Sequence, residues 1–183
     1  MEWLLFTSQL PASPSSLRVM VWRRMKAAGA VGLQNGVWVL PRAKEQERVV
    51  QELLKYLEEQ GAEGQSFTAT ALNEKVEKDL LKQFREQLDV EYAEMIERCG
   101  GMLAELEKET KKKKFTYAEL EENEDDLQKL ESWLKRIKVR DLVGGERVAE
   151  ATRSLEACRK ALQTFADHVY TQEQVKLKRD SSK

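Results

Sequence analysis

The apolar positions of this 183-residue chain change their spacing once, near residue 72, and the change divides it in two. Before that point, short apolar runs alternate with one-sided helical stripes. Residues 3–7 (WLLFT) form the kind of run seen in a strand buried on both faces. A turn over 9–14 follows. Ser13 is placed there to cap a helix, and Pro14 to fill its first position, where a missing N–H costs nothing. Leu17, Val21, Met25 and Ala28 share one narrow arc of a helical wheel, and Gly29 suits the left-handed position past the helix end. Two β-prone runs, 30–34 and 37–40, are joined by Asn35-Gly36, which favours a type I′ hairpin turn with positive φ at both residues. Pro41 closes the second run. Helical spacing returns over 44–60 through Val49, Leu53, Tyr56 and Leu57, with Gly61 beyond it. Residues 65–72 alternate, Phe67, Ala69 and Ala71 against Ser66, Thr68 and Thr70, as a half-buried strand does. The order β-α-β-β-α-β predicts a ferredoxin-like domain over 1–72, an antiparallel sheet with two helices on one face.

From Asn73 the chain is charged, helix-favouring and free of proline. Val76, Leu80, Leu81, Phe84, Leu88, Tyr92, Met95 and Ile96 keep a 3.6-residue period, and Met102, Leu103 and Leu106 continue it past an expected kink at Gly100-Gly101. Thr116 and Glu119 have capping-box spacing ahead of a second helix through Leu120, Leu127, Leu130, Trp133, Leu134 and Ile137. After a turn over 141–145, Val148, Ala151, Leu155, Cys158, Leu162, Phe165 and Val169 mark a third. The expected fold class is therefore α+β. The ferredoxin-like domain is followed over 73–175 by an antiparallel helical bundle of about three long helices, and 176–183 form a disordered tail.

Composition narrows the function classes. Apolar residues make up 41% and charged residues 34%, and no window approaches the ~20 apolar residues of a membrane span. The start of the chain lacks the basic region and long apolar core of a signal peptide. Cys99 and Cys158 have no CxxC partner and read as ordinary buried thiols, so a cytoplasmic location is expected. Whole-chain charge is only −1, but residues 1–44 carry six cations against Glu2 alone, a local net of +5. Such a cluster is either a solvated helix face or a surface for anions or nucleic acid.

Catalytic signatures are missing. His168 is the one histidine, and only Asp167 flanks it. There is no Cys/His cluster for zinc, no phosphate-cradling Gly-rich loop, and no acid in 3–9 to serve as a nuclease's metal ligand. The acidic residues Glu121, Glu122, Glu124, Asp125 and Asp126 suit the first turns of a helix without any metal. Neither an enzyme nor a cofactor is expected. Two surfaces remain. Arg18, Trp22 and Lys26 repeat at i, i+4 and i+8, with Arg23 beside them. They offer phosphate contact plus stacking, or else Trp22 packs at the core edge while its neighbours snorkel. The second is the basic run 135–141. Its cations either stabilise a helix C-terminus, or Arg136 and Arg140 join a following helix N-terminus to bind an oxyanion.

The segment QLPASPSSLRVMVWRRMKAAGAVGLQNGVWVLP resembles the N-terminal domain of ChrB-type chromate-resistance proteins. The matching residues are Arg18, Trp22, Arg23, Met25, Lys26, Gly29, Ala30, Gly36, Val37, Trp38, Leu40 and Pro41. Trp133-Leu134, Arg140-Asp141 and Val169-Tyr170 extend the likeness over nearly the whole chain. The front half is also similar in topology to the ferredoxin-like module of the phenylacetate-pathway repressor PaaX. The resemblance implies a protein tied to chromate resistance, in a stand-alone form without the further C-terminal domain of longer members. It implies a DNA-binding transcriptional regulator responsive to chromate or a similar oxyanion. On this reading Arg18, Trp22, Arg23 and Lys26 meet DNA, and Arg136 and Arg140 meet the oxyanion. The alternative is a non-enzymatic interaction module. It would form a homodimer or dock a partner through the long helix bearing Phe84, Leu88, Tyr92 and Met95. With no flavin, nicotinamide or metal motif to hold electrons, a chromate reductase is the weakest reading.

Overall fold

The structure, a computed structural model, describes the backbone of residues 1–11, 13 and 15–180, and side chains up to Val175. The chain is α+β: among the described residues it forms a four-stranded antiparallel sheet and five helices. It divides into two compact units, Met1–Gln87 with Arg140–Gly144, and Leu88–Val139 with Gly145–Lys183.

The first unit is built from β1 (Glu2–Gln9), α1 (Ser16–Ala27), β2 (Val31–Gln34), β3 (Val37–Pro41), α2 (Lys44–Glu59) and β4 (Glu63–Thr70), joined by the start of α3 (Glu74–Lys111). The strands lie in the order β2-β3-β1-β4. Alternation along β1 sorts its apolar residues to two faces. Leu4 and Phe6 pack with Leu40 and with Val21 and Met25 of α1 and Val50, Leu53 and Leu57 of α2. Trp3 points the other way and packs with Val31, Val39 and Phe84. The rings of Trp3 and Phe84 stack with centroids 5.4 Å apart and planes 19° from parallel. The first turns of α3 thus cover the sheet's second face, which carries the unit past the expected boundary at Leu72. Lys26 of α1 donates to Gln87 at 2.5 Å within the same unit.

Several local expectations shift. The residue before α1 is Ser15, not Ser13, and its side chain makes no cap hydrogen bond. Pro14 lies outside the described residues. Gly29 does take the left-handed conformation (φ +81°). In the hairpin turn Gly36 has positive φ (+76°) but Asn35 does not, so the turn is not type I′. Docking to β1 shapes it instead: Ser8 N–H donates to the Gly36 carbonyl at 2.8 Å. A bulge between Gly32 and Gln34 absorbs the mismatch with β3. On α2 the buried positions are Gln46, Val50, Leu53 and Leu57, with Val49 only half-buried. β4 runs two residues earlier than expected, and Phe67 on its apolar side is 50% exposed. Its Gly64 lies beneath α2, where an added Cβ would sit 2.9 Å from Leu57 and 3.0 Å from Leu54.

The second unit draws one core from α3, α4 (Tyr117–Arg140) and α5 (Arg147–Asp180). Leu88, Tyr92, Met95, Leu130, Leu134, Ile137, Leu155, Phe165 and Val169 are buried together there. α3 continues through Gly100 and Gly101, the site of the expected kink, as one helix. Thr116 accepts from Glu119 N–H at 3.3 Å, which is half of a capping box. The Glu119 carboxylate turns instead to Lys114 at 2.7 Å. α5 is helical through Asp180, so the expected tail from Lys176 continues the helix, with 181–183 outside the described residues.

Two glycines of positive φ separate backbone strain from collision. Gly61→Ala (φ +68°, open space around the added Cβ) is expected to cost about 1–2 kcal/mol. Gly36→Ala is expected to cost clearly more, because its Cβ would lie on the Ser8 carbonyl oxygen. Urea midpoints of the two variants measure the difference. Equal losses would remove the docking of this turn on β1 as a constraint.

Candidate nucleic-acid interface

α1 has the sequence SLRVMVWRRMKA, with four cations and no anion. Its inner face is set by Val21 and Met25, which are 2% and 0% exposed. The period of 3.6 then turns Arg18, Trp22, Arg23 and Arg24 outward, and all four are exposed. Trp22 is 52% exposed, so it stands among the cations at the surface and is not a core-edge ring. Lys26 is half-buried and held to Gln87, closer to a structural anchor than to a mobile contact. Arg24, not singled out in the sequence, has its guanidinium 4.9 Å over the Tyr56 ring. Tyr56 four residues after Glu52 on an amphipathic helix gave no local signal of this pairing. Arg42, counted in the basic cluster, is tied to Glu2 at 3.0 Å and Glu47 at 2.6 Å and adds little net charge.

The two oxyanion candidates fall in different units. Arg140 is half-buried in the sheet unit, where its Cβ and carbonyl would each lie 3.1 Å from a Cβ at Gly29. Arg136 is exposed in the helical unit and lines an open groove of about 1180 Å³ between α3 and α4. That groove holds seven carboxylates, Glu94, Glu105 and Asp126 among them, against Arg98, Lys114, Lys129 and Arg136. Its field disfavours a dianion. The Gly144 N–H ahead of α5 is already engaged by Asp141 at 2.8 Å.

Phe84, Leu88, Tyr92 and Met95, expected as a docking stripe, are 1%, 4%, 1% and 0% exposed. They are core within the chain and cannot receive a partner. His168 is exposed, with its ring 5.0 Å from Phe115. Among the described residues no group of three or more His, Cys, Asp or Glu could hold a metal ion, and no helix is long and apolar enough to cross a membrane. Cys99 and Cys158 are fully buried, with Cys158 Sγ donating to the Cys99 carbonyl at 3.4 Å. Burial pushes the Cys158 thiol up to about 12, which leaves it unreactive at neutral pH.

The family model described as "Protein ChrB, N-terminal" matches residues 18–176. The chain belongs to the ChrB N-terminal family. Membership links it to chromate resistance. No curated protein matches the sequence. The match takes in α1 from Arg18 onward and nearly all of the helical unit, so this family's span includes both the basic helix and the acidic groove.

One ionisable group in the groove escaped the sequence reading. Glu109 is only 5% exposed, at the end of α3. It accepts from Asn123 Nδ2 at 3.2 Å. The available signal was its spacing, i+3 from Leu106 and i+7 from Met102 on the apolar stripe. Burial first, then the adjacent Glu119 carboxyl, pushes Glu109 up to about 7 from 4.5. Glu119 is held below its ordinary value by Glu109 and then Lys114, so one proton sits on Glu109 between the two carboxyls. Because the folded chain binds this proton more tightly than the unfolded chain, protonation stabilises the fold. The contribution is complete below about pH 4.5 and is lost as pH rises through about 7. Stability in urea is expected to fall between about pH 5 and 8, by no more than about 3 kcal/mol. Glu109→Gln, which keeps a donor toward Glu119, should flatten that slope. An unchanged slope in the variant would assign the proton to another group.

Proposed function

We propose that this chain is a non-enzymatic, DNA-binding regulator of chromate resistance that works in the cytoplasm and meets nucleic acid through α1. The observation that carries the reading is Trp22, 52% exposed on a helix of four cations and no anion. Arg18 and Arg23 flank it for phosphate contacts, Trp22 adds stacking or groove packing, and Lys26 fixes the helix to Gln87 beneath. Response to chromate or a similar oxyanion rests in this reading on the family link, not on Arg136 and Arg140. We read the sheet unit as ferredoxin-like, supported by the strand order β2-β3-β1-β4 with α1 and α2 on one face, and the helical unit as a three-helix bundle with one shared core. The cytoplasmic placement is supported by two reduced, buried cysteines.

A salt titration of binding to duplex DNA tests the interface. The logarithm of affinity is expected to fall linearly with the logarithm of salt concentration. Arg18→Ala with Arg23→Ala should reduce that slope by about 2, each lost phosphate contact removing about 0.9. Trp22→Ala should weaken binding with the slope unchanged. Absence of binding at low salt, or a double variant that binds like the parent, would end this reading.

A further inference from the structure

The two edges of the sheet are built differently. β2 is four residues long and is broken by the bulge between Gly32 and Gln34, and both features blunt an edge against pairing. β4 has neither. It pairs with β1 over eight successive positions, Glu2↔Thr70 to Gln9↔Glu63, without a shift in register, and its other side is the rim of the sheet. The strand contains no proline and no lysine, and its one charged residue, Glu63, sits at its end. Phe67 in its middle is half exposed. A long edge without a bulge, charged only at its end and with an exposed aromatic in its middle, is a template for another strand.

We propose that β4 is a homodimer interface, in which two copies of this chain pair their β4 strands antiparallel about a two-fold axis through Phe67. The axis stands perpendicular to the sheet, so each face of the joined sheet stays on its own side and opposed residues must share parity. Phe67 then meets the second copy's Phe67, Gln65 its Ala69, Ser66 its Thr68 and Gly64 its Thr70. No like charges oppose one another, and Glu63 falls beyond the paired stretch. The aromatic pair covers ring surface that the single chain leaves exposed, a cross-strand contact that stabilises a sheet. This self-matching register is the reason for choosing a second copy over an unrelated strand. A strand-edge contact buries less than a standard interface, so the dissociation constant is expected on the order of micromolar. The surface is distinct from the outer face of α1, and the proposal stands whether or not the chain binds DNA.

Sedimentation equilibrium of the full chain over about 1–200 μM should show a monomer–dimer equilibrium. Phe67→Asp and Phe67→Lys should each be monomeric, because like charges meet on the axis, while far-UV circular dichroism and thermal midpoint stay near the parent's. An equimolar mixture of the two should regain the dimer, since Asp then faces Lys. Phe67→Cys provides a readout that keeps an uncharged side chain. Oxidation should link two copies through residue 67, while Gln65→Cys, two positions from the axis, should not cross-link, and Cys99 and Cys158 are too buried to interfere. A parent chain that stays monomeric over the whole range overturns the proposal. So does a dimer that both charged variants retain, or a Phe67→Cys chain that fails to cross-link.

Discussion

Trp3 and Phe84 stack on the side of the sheet away from α1 and α2, and the rest of the sheet unit follows from the need for that contact. β1 presents large apolar groups on both faces, Leu4 and Phe6 to one and Trp3 to the other. Two helices cover the first face. Without the first turns of α3, Trp3 and Val39 would face water, and burying aromatic and branched side chains of this size is worth roughly 1.5–3 kcal/mol each. The second cover makes this an α/β/α arrangement around the central strand and commits the first part of α3 to the sheet unit. From Leu88 onward the same helix serves a different core.

Two surfaces of the sheet unit stand out. One is the outer side of α1, where the inward demand of Val21 and Met25 turns Trp22 and three arginines to solvent. The other is the rim along β4, which neither a bulge nor a charge protects. The helical unit contributes chemistry of the opposite sign. Its groove is rich in carboxylates, and at one end the Glu109 carboxyl is buried against Glu119 and keeps a proton to near neutral pH. Basic and acidic surfaces are thus segregated, a distribution that a whole-chain charge of −1 conceals.

Much of this is legible in the sequence. The strands and helices followed from periodicity, and Val21, Met25 and most of the apolar stripes of α4 and α5 proved to be core, with Leu17 half-buried against it. The basic face of α1 was visible as Arg18, Trp22 and Lys26 at helical spacing. What failed did so for identifiable reasons. Asn35-Gly36 promised a type I′ turn, but the Ser8 hydrogen bond to Gly36 belongs to β1, far away in sequence, and it set a different turn. Phe84, Leu88, Tyr92 and Met95 looked like surplus apolar surface because a helix seen alone has no partners. In the folded chain two separate cores divide them. Arg136 and Arg140 are one turn apart on α4, yet the boundary between units falls at Val139.

Local chemistry along the chain was sufficient for the elements, their order and the cationic stripe. Each depends on side-chain spacing, backbone preference or charge within a few residues. Packing supplied the remainder. It determined that Trp22 is exposed while Phe84 is buried, that Glu109 loses its water, that Arg42 is neutralised and that β4 is left at the rim. Each of these depends on which distant segment arrives beside the residue, and burial and pairing across long sequence separations leave no local pattern to read.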